Sequence, residues 1–527
     1  MAHDTFIPID PIDRIFALNE AFSANDMPTA QILSRSLIDF CCKDPSFLFI
    51  CGVIELRLGE MDVARDRLCQ LRALTPSHAH GMELLGVLYA QVGEFDEAIA
   101  CLQNLTTDDA LRQLGFCYYN ISAFAAALIP LEKVCQHPSV HLPFAKTCKE
   151  VGLLQKAELL LRKFLATDLP ERHWAAMWLG EILTEQKRWN DLRATMHPLT
   201  SDPATAIAAR TVLAAVALGE GQLDQAVRWL PADQKTNWGH AFSVQTISQL
   251  QLLLHELKEQ IPTRPDHPYP DSDVGLSCLS LGSAGRFAHQ MVDYLGLRYH
   301  ADCYGLPVET PDWPGHYIFE LNDPFPTKRR KQQIRRNGLW LEQQVTGHGV
   351  GALAGRDFYS IGGLVGRFTT DHVRKARQIF AIRPQWNPVL TPLLDALRAR
   401  GRTVVSVHIR MGDLSGNTPP LNWYVEWLQS LWPTLDSPVL YLASDDLQAA
   451  LPAFAAYQPL SLNDIAVPRP ALEWLQDFYV LMHSDVVANS AGGFCMMANI
   501  LNIQGRQFFR PQFQQKRLIS FSPLKDF

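Results

Sequence analysis

Two stretches of this chain repeat one another at a fixed offset, which limits its possible folds more than any other feature. Gly52, Gly59, Ala64 and Leu68 recur as Gly86, Gly93, Ala98 and Leu102, each pair 34 residues apart. Tyr89 follows Gly86 by three residues. The spacing predicts units of two helices, A and B, that cross closely where Gly52, Gly86, Ala64 and Ala98 stand, since larger side chains there would push the helices apart. Leu68 and Leu102 are expected to fill the groove toward the next unit. One copy alone could be an ordinary amphipathic hairpin. Two copies agreeing at four positions argue for a stack in which each unit buries its apolar face against its neighbours.

Looser copies follow. Gly115, Tyr118, Ala127 and Leu131 form a third, and Gly152, Ala157 and Leu161 a fourth. Gly180 and Met196 indicate a fifth, with Leu192 where Ala is expected, and Gly221, Ala226 and Leu230 a sixth. Asn25 and Ala30 suggest a degenerate cap before the first. The array therefore occupies residues 1–260. It offers a concave surface for a peptide or partner protein and no chemistry of its own.

The chain has 527 residues, enough for two to four domains. Apolar residues make up 47% and charged residues 19%, a balance that builds cores and excludes general disorder. A formal charge of −7 argues against a dedicated nucleic-acid binder. The opening MAHDTFIPIDPIDR lacks the basic and apolar regions of a secretory signal, and no apolar run is long enough to span a membrane. The 11 cysteines show no metal-binding or paired spacing. They read as reduced thiols of a cytoplasmic protein.

The text changes at Ile261. IPTRPDHPYPDSD carries Pro262, Pro265, Pro268 and Pro270 without helical period, and reads as a stiff linker over 261–273. Beyond it, β-rich runs alternate with helical ones. Strands are expected at Val274 to Leu281, Thr403 to Ile409, Pro438 to Ser444 and Ser484 to Ser490. Helices are expected near Phe287 to Ala301, Trp423 to Leu431, Leu472 to Met482 and Phe494 to Leu501. The alternation predicts parallel sheets with crossover helices in two successive lobes, 274–400 and 401–527. Ligands of such sheets sit at the carboxyl ends of the strands.

Four strand ends carry polar residues. GSAGRFAHQ (Gly282 to Gln290) joins two turn glycines to the start of a helix, whose free N–H groups suit an anion. HIRMGD (His408 to Asp413) ends an apolar strand in His, Arg and Asp. Ser444, Asp445 and Asp446 follow the third strand, and Asn489, Ser490, Ala491, Gly492 and Gly493 the fourth.

The 34-residue pattern resembles the tetratricopeptide repeat. VSVHIRMGD is similar to the HxRxGD segment of the α-1,2-fucosyltransferases and their protein O-fucosyltransferase and α-1,6-fucosyltransferase relatives, and GSAGRFAHQMVDYLG resembles their GRFGNQ-type segment. SDD and DFYVLMHSDVVANSAGGF resemble two further motifs in the same order. The resemblance covers roughly residues 271–527. It implies an α + α/β chain: an N-terminal α-solenoid followed by a GT-B domain of two Rossmann-like lobes. It further implies an inverting, metal-independent transferase with GDP-fucose or another nucleotide sugar as donor and no resident cofactor. Arg410 would then contact the donor diphosphate, with Gly285, Arg286 and His408 beside it. Asp413 would orient the loop or a guanine or ribose group. Ser444, Asp445 and Asp446 would face the nucleoside, and Asn489, Ser490 and Ala491 would donate to phosphate. Where the relatives carry Gly-Asn before Gln, this chain has Ala288-His289, so His289 is a candidate base for the acceptor's proton.

Other readings exist. Asp446 could simply cap a following helix, and His408 could be a hydrogen-bonded core histidine. The basic run Lys328 to Arg336 reads as a solvated face or a site for an acidic partner, and Gly347 to Gly355 only half-matches a dinucleotide loop. The alternative to an enzyme is a tetratricopeptide scaffold whose transferase domain is degenerate and serves protein–protein contact.

Overall fold

The computed structural model describes residues 10–121, 123–231, 239–265, 275–326, 332–335, 356–359, 369–411, 418–469, 471–490 and 492–524. The chain divides into two compact units, 1–167 and 168–527.

The first unit is helical throughout its described length. Its helices pair in sequence: α1 (Pro11–Ser23) with α2 (Met27–Cys41), α3 (Pro45–Arg57) with α4 (Met61–Leu74), α5 (Ala79–Gln91) with α6 (Phe95–Leu102), α7 (Asp108–Asn120) with α8 (Phe124–Lys133), and α9 (Pro138–Glu150) with α10 (Leu154–Leu165). The repeat glycines act as the spacing implied. A Cβ on Gly52 would lie 2.9 Å from Leu68 Cδ2, and one on Gly86 or Gly115 would lie 2.5 Å from the Leu102 or Leu131 side chain. Leu68 and Leu102 thus lie against the glycine of their own hairpin. Leu68 also shares a core with Met82 and Leu85 of the next.

Two further features keep the same register. Asn25, Gly59 and Gly93, spaced 34 apart, turn the chain between paired helices with φ of 60°, 83° and 82°. That left-handed conformation is open to glycine and tolerated by asparagine. Asp10, Asp44 and His78, also 34 apart, cap α1, α3 and α5 by accepting from the backbone N–H of Ile12, Ser46 and Gly81 at 2.8, 2.8 and 3.0 Å.

The second unit opens with more helices: α11 (Arg172–Glu185), α12 (Trp189–Leu199), α13 (Ala206–Gly219), α14 (Leu223–Trp229) and α15 (Gly239–Glu256). Gly180 makes its close approach to Val212 of α13 rather than to its partner α12; a Cβ there would lie 2.6 Å from Val212 Cγ2. Leu192 is fully buried where Ala was expected. The helix α15 does not end an independent array. Its Ile247, Leu250, Leu253 and Leu254 share one core with Leu276, Phe287, Trp313 and Phe478. The described part of the Pro-rich stretch is likewise anchored. Arg264 donates to the carbonyls of Thr310 and Pro311 at 2.7 and 2.8 Å and lies 4.1 Å from the centre of the Phe325 ring.

Two sheets follow. The first, in order β2 (Val308–Glu309), β1 (Leu276–Ser277), β4 (Arg356–Tyr359), β3 (Gln332–Arg335), is parallel throughout. The second has the order β6 (Pro438–Ser444), β5 (Thr403–Ile409), β7 (Val486–Ala488), β8 (Gln507–Gln512), β9 (Arg517–Phe521), with only the last pair antiparallel. The strand expected over Val274 to Leu281 shrinks to two residues. The backbone turns after Cys278, where Leu281 N donates to its carbonyl and Asp357 Oδ1 takes Leu279 N at 2.8 Å.

The connecting helices are α16 (Phe287–Tyr304), α17 (Pro314–Ile318), α18 (Thr370–Ile379), α19 (Asn387–Arg398), α20 (Leu421–Leu431), α21 (Leu447–Ala450), α22 (Leu462–Ile465), α23 (Glu473–His483) and α24 (Gly493–Leu501). Strand β5 has period two: Val405, Val407 and Ile409 pack with α20, while Val404 joins the core that holds α16, α23 and α24. His408 therefore points to the α16–α24 side. Among the described residues, no helix is long and apolar enough to cross a membrane.

Candidate functional site

The site is built where β5, β6 and β7 end together. Parallel register pairs His408 with Ala443 and Ile409 with Ser444, and Val407 with Ala488 on the other side. The three following loops therefore start side by side. Hydrogen bonds then tie them. His408 Nδ1 lies 2.7 Å from Ser490 Oγ, and Asp445 Oδ1 accepts from the Met411 amide at 2.7 Å. The Tyr424 hydroxyl donates to the Asn489 carbonyl at 2.7 Å, and Asn489 N donates to Phe509. Asn489 and Ser490 are both buried, and Asn489 Oδ1 has no partner among the described residues.

The His408 imidazole is pushed down to about 4 by burial, with Arg410 acting the same way and Asp445 opposing both. It is neutral near pH 7. A neutral ring can exchange a hydrogen bond with Ser490 but is a poor proton donor at that pH. Phe494 covers it, with ring centres 5.3 Å apart.

Half-buried Arg410 follows His408 and reaches the loop after β7. A Cβ on Gly492 would lie 3.1 Å from its Nη1, and Gly492 has φ of +143°, a conformation few other residues adopt. Gly493 opens α24, and a Cβ there would lie 3.8 Å from Cβ of Ala288, in the first turn of α16. Two helix N-termini thus converge close to one guanidinium. Unsatisfied N–H groups, helix dipoles and a fixed positive charge together attract an anion.

On the α16 side, Gly285 has φ of +67°, and a Cβ there would fall 2.6 Å from His289 Cγ. Arg286 is the residue before the helix and is exposed. His289 is half-exposed, with Nε2 3.9 Å from Oδ2 of fully buried Asp293.

The structure gathers His408, Arg410, Asp445 and Ser490 around the joined loops. Ser444 and Asp446 have local work: Ser444 Oγ accepts from Asp446 N at 3.1 Å, and Asp446 caps α21 by accepting from Ala449 N at 3.1 Å. Asp446 is thus a helix cap, as one reading of the sequence allowed. Asp413, Ala491 and Gly347 to Gly355 lie outside the described residues, as do Lys328 to Lys331 and Arg336 of the basic run. Among the described residues, no group of three or more His, Cys, Asp or Glu is placed to hold a metal ion. The sequence pattern did not disclose the Gly492–Arg410 contact or the Ser490–His408 bond. The paired glycines were the available signal for the first, and the second had none.

No protein-family model matches the chain, and no curated protein matches it. Among solved structures, NodZ α-1,6-fucosyltransferase soaked with GDP-fucose is 13% identical, covering 48% of this chain and 99% of its own, with a TM-score of 0.36. A tetratricopeptide repeat protein from Parabacteroides merdae is 13% identical over 42% of this chain and 90% of its own, at a TM-score of 0.28. YrrB, a tetratricopeptide protein with an unusual peptide-binding site, is 14% identical over 38% of this chain and 92% of its own, at a TM-score of 0.27. Likeness of this order assigns neither fold nor chemistry, and the reading of the site rests on its own geometry.

Proposed function

We propose that residues 274–527 form a glycosyltransferase of the GT-B type that moves a sugar, fucose from GDP-fucose in the first instance, to a hydroxyl of a protein or glycan. The observation that carries this reading is Arg410 against Gly492, beside the N-terminal turns of α24 and α16. A leaving nucleoside diphosphate gains negative charge as the glycosidic bond breaks. A guanidinium and helix-terminal N–H groups already in position would stabilise that charge without reorganisation. No metal is required by this arrangement.

The remaining roles follow from position. Neutral His408 holds Ser490, so the hydroxyl and amides after β7 stay aimed at phosphate. Asp445 fixes the turn after Arg410 through the Met411 amide and leaves its exposed side toward the nucleoside. His289, with Asp293 behind it, takes the acceptor's proton. Gly285 and Arg286 would bring backbone and charge against the phosphates, and Asn489 and Ser490 would donate to them. The helical array, 1–260, recruits the acceptor or a partner, and 261–273 joins it to the transferase.

GDP release from GDP-fucose, measured with and without candidate acceptors, tests the reading. Activity in the wild type, lost in Arg410→Ala and pH-shifted in His289→Ala, would support it. Full activity in His289→Ala removes the base assignment alone. No binding to any member of a GDP-sugar panel would leave the scaffold alternative.

A further inference from the structure

The candidate donor loop, Ser280 to Arg286, is held from outside the two sheets by the first turns of α15, the last of the array-side helices. A Cβ on Gly239 would lie 2.5 Å from the Gly285 carbonyl oxygen, 2.7 Å from Gly285 N and 2.8 Å from the Ser283 carbonyl oxygen. Backbone therefore rests on backbone. One turn further, Gln290 Nε2 donates both to Ser243 Oγ at 2.9 Å and to the Gly285 carbonyl at 3.0 Å. Gln290 and Ser243 are both buried, so water does not compete for these bonds. The rest of α15 is fixed in turn: Ile247 and Leu250 lie in the shared core, and Gln251 Nε2 donates to the Tyr317 hydroxyl at 3.1 Å.

We propose that α15 is a working part of the donor site, with Gly239 and Ser243 as positioning residues that set the Ser283–Gly285 backbone. This one helix would then be required for donor binding itself, in addition to any recruitment of an acceptor by the array. Its relevance to sugar transfer rests on the function proposed above; the mechanical claim does not.

The full chain separates the two. Gly239→Ala pushes a methyl into the loop backbone, and Ser243→Ala removes the hydroxyl that steers Gln290. Ser248→Ala, on the same helix, removes a hydroxyl that donates to Val244. Two readouts are taken: amide hydrogen exchange over 279–285, and the calorimetric Kd for GDP. Both loop-facing variants should speed exchange there and weaken GDP about tenfold, the scale of one lost buried hydrogen bond with local strain. Ser248→Ala should do neither, even if its melting temperature falls as far. Wild-type exchange and Kd in both loop-facing variants would overturn the inference. A wild type that binds no GDP would overturn the donor reading, and the exchange rates would still decide whether α15 holds the loop.

Discussion

Gly86 and Gly492 are both glycines because something lies too close for a side chain, and the difference between those neighbours separates the two halves of this protein. At Gly86 the neighbour is Leu102, sixteen residues away in the same hairpin, and the contact is closed and apolar. At Gly492 it is Arg410, a charge that only a folded sheet could bring there. A repeat glycine maximises packing and is local, so it recurs at a fixed spacing. A site glycine makes room for a charged group from a distant segment and occurs once.

The two should therefore fail differently. The largest effect is expected from Arg410→Ala: turnover of the nucleotide sugar should fall by about 10²- to 10³-fold, as when one preorganised charge-stabilising donor is lost. Its melting temperature should hold, because a half-buried guanidinium contributes little core. Gly86→Val should do the reverse. Overpacking against Leu102 should cost about 1–3 kcal/mol, read as a lower denaturation midpoint, while GDP affinity stays that of the wild type. If Gly86→Val instead abolished binding and left stability unchanged, the division of labour would be wrong.

Gly492→Ala tests both properties of one residue. It forces φ of +143° on a residue with a Cβ, at a cost of roughly 1–3 kcal/mol, and crowds the Arg410 guanidinium. Donor affinity should fall about tenfold and stability modestly, a mixture that neither previous variant gives. Unchanged affinity would mean that the guanidinium does not depend on this gap.

The smallest effect concerns pH. His408 and His316 are held well below the ordinary histidine value of 6.5, at about 4 and about 3, chiefly by burial. In both, the unfolded chain takes up a proton before the folded one does. Their contribution to stability is therefore complete above pH 6.5 and is lost progressively as pH falls toward 4 and below. His408→Gln should lose less stability than the wild type between pH 7 and 4.5, measured by chemical denaturation. An identical loss would place the titrating group elsewhere.

How much of this could be read from sequence follows the same division. The hairpins were legible because Gly52, Ala64 and Leu68 meet within one unit and must recur with it. Asn25 and Asp10 fall in the same 34-residue register, as a turn and a cap whose chemistry varies while their geometry does not. Arg410 and His408 were legible as charge at the end of an apolar strand. The approach of Gly239 to Gly285 was not, since it joins segments with no shared period. The role of α15 was hidden for the same reason: Ile247 and Leu250 look like ordinary repeat core in the sequence, and only packing reveals Leu276 and Phe287 as their partners. Asp446 shows the converse. It stood in a motif that resembled a nucleoside contact, and the cap it forms on α21 was the other reading the sequence offered.

The most direct test of the central claim is a structure of the full chain with GDP bound. The account predicts the diphosphate within hydrogen-bonding distance of the Arg410 guanidinium and of the first backbone N–H groups of α24, with the Ser283–Gly285 backbone on its other side. Nucleotide bound elsewhere, or a diphosphate that Arg410 does not touch, would contradict it.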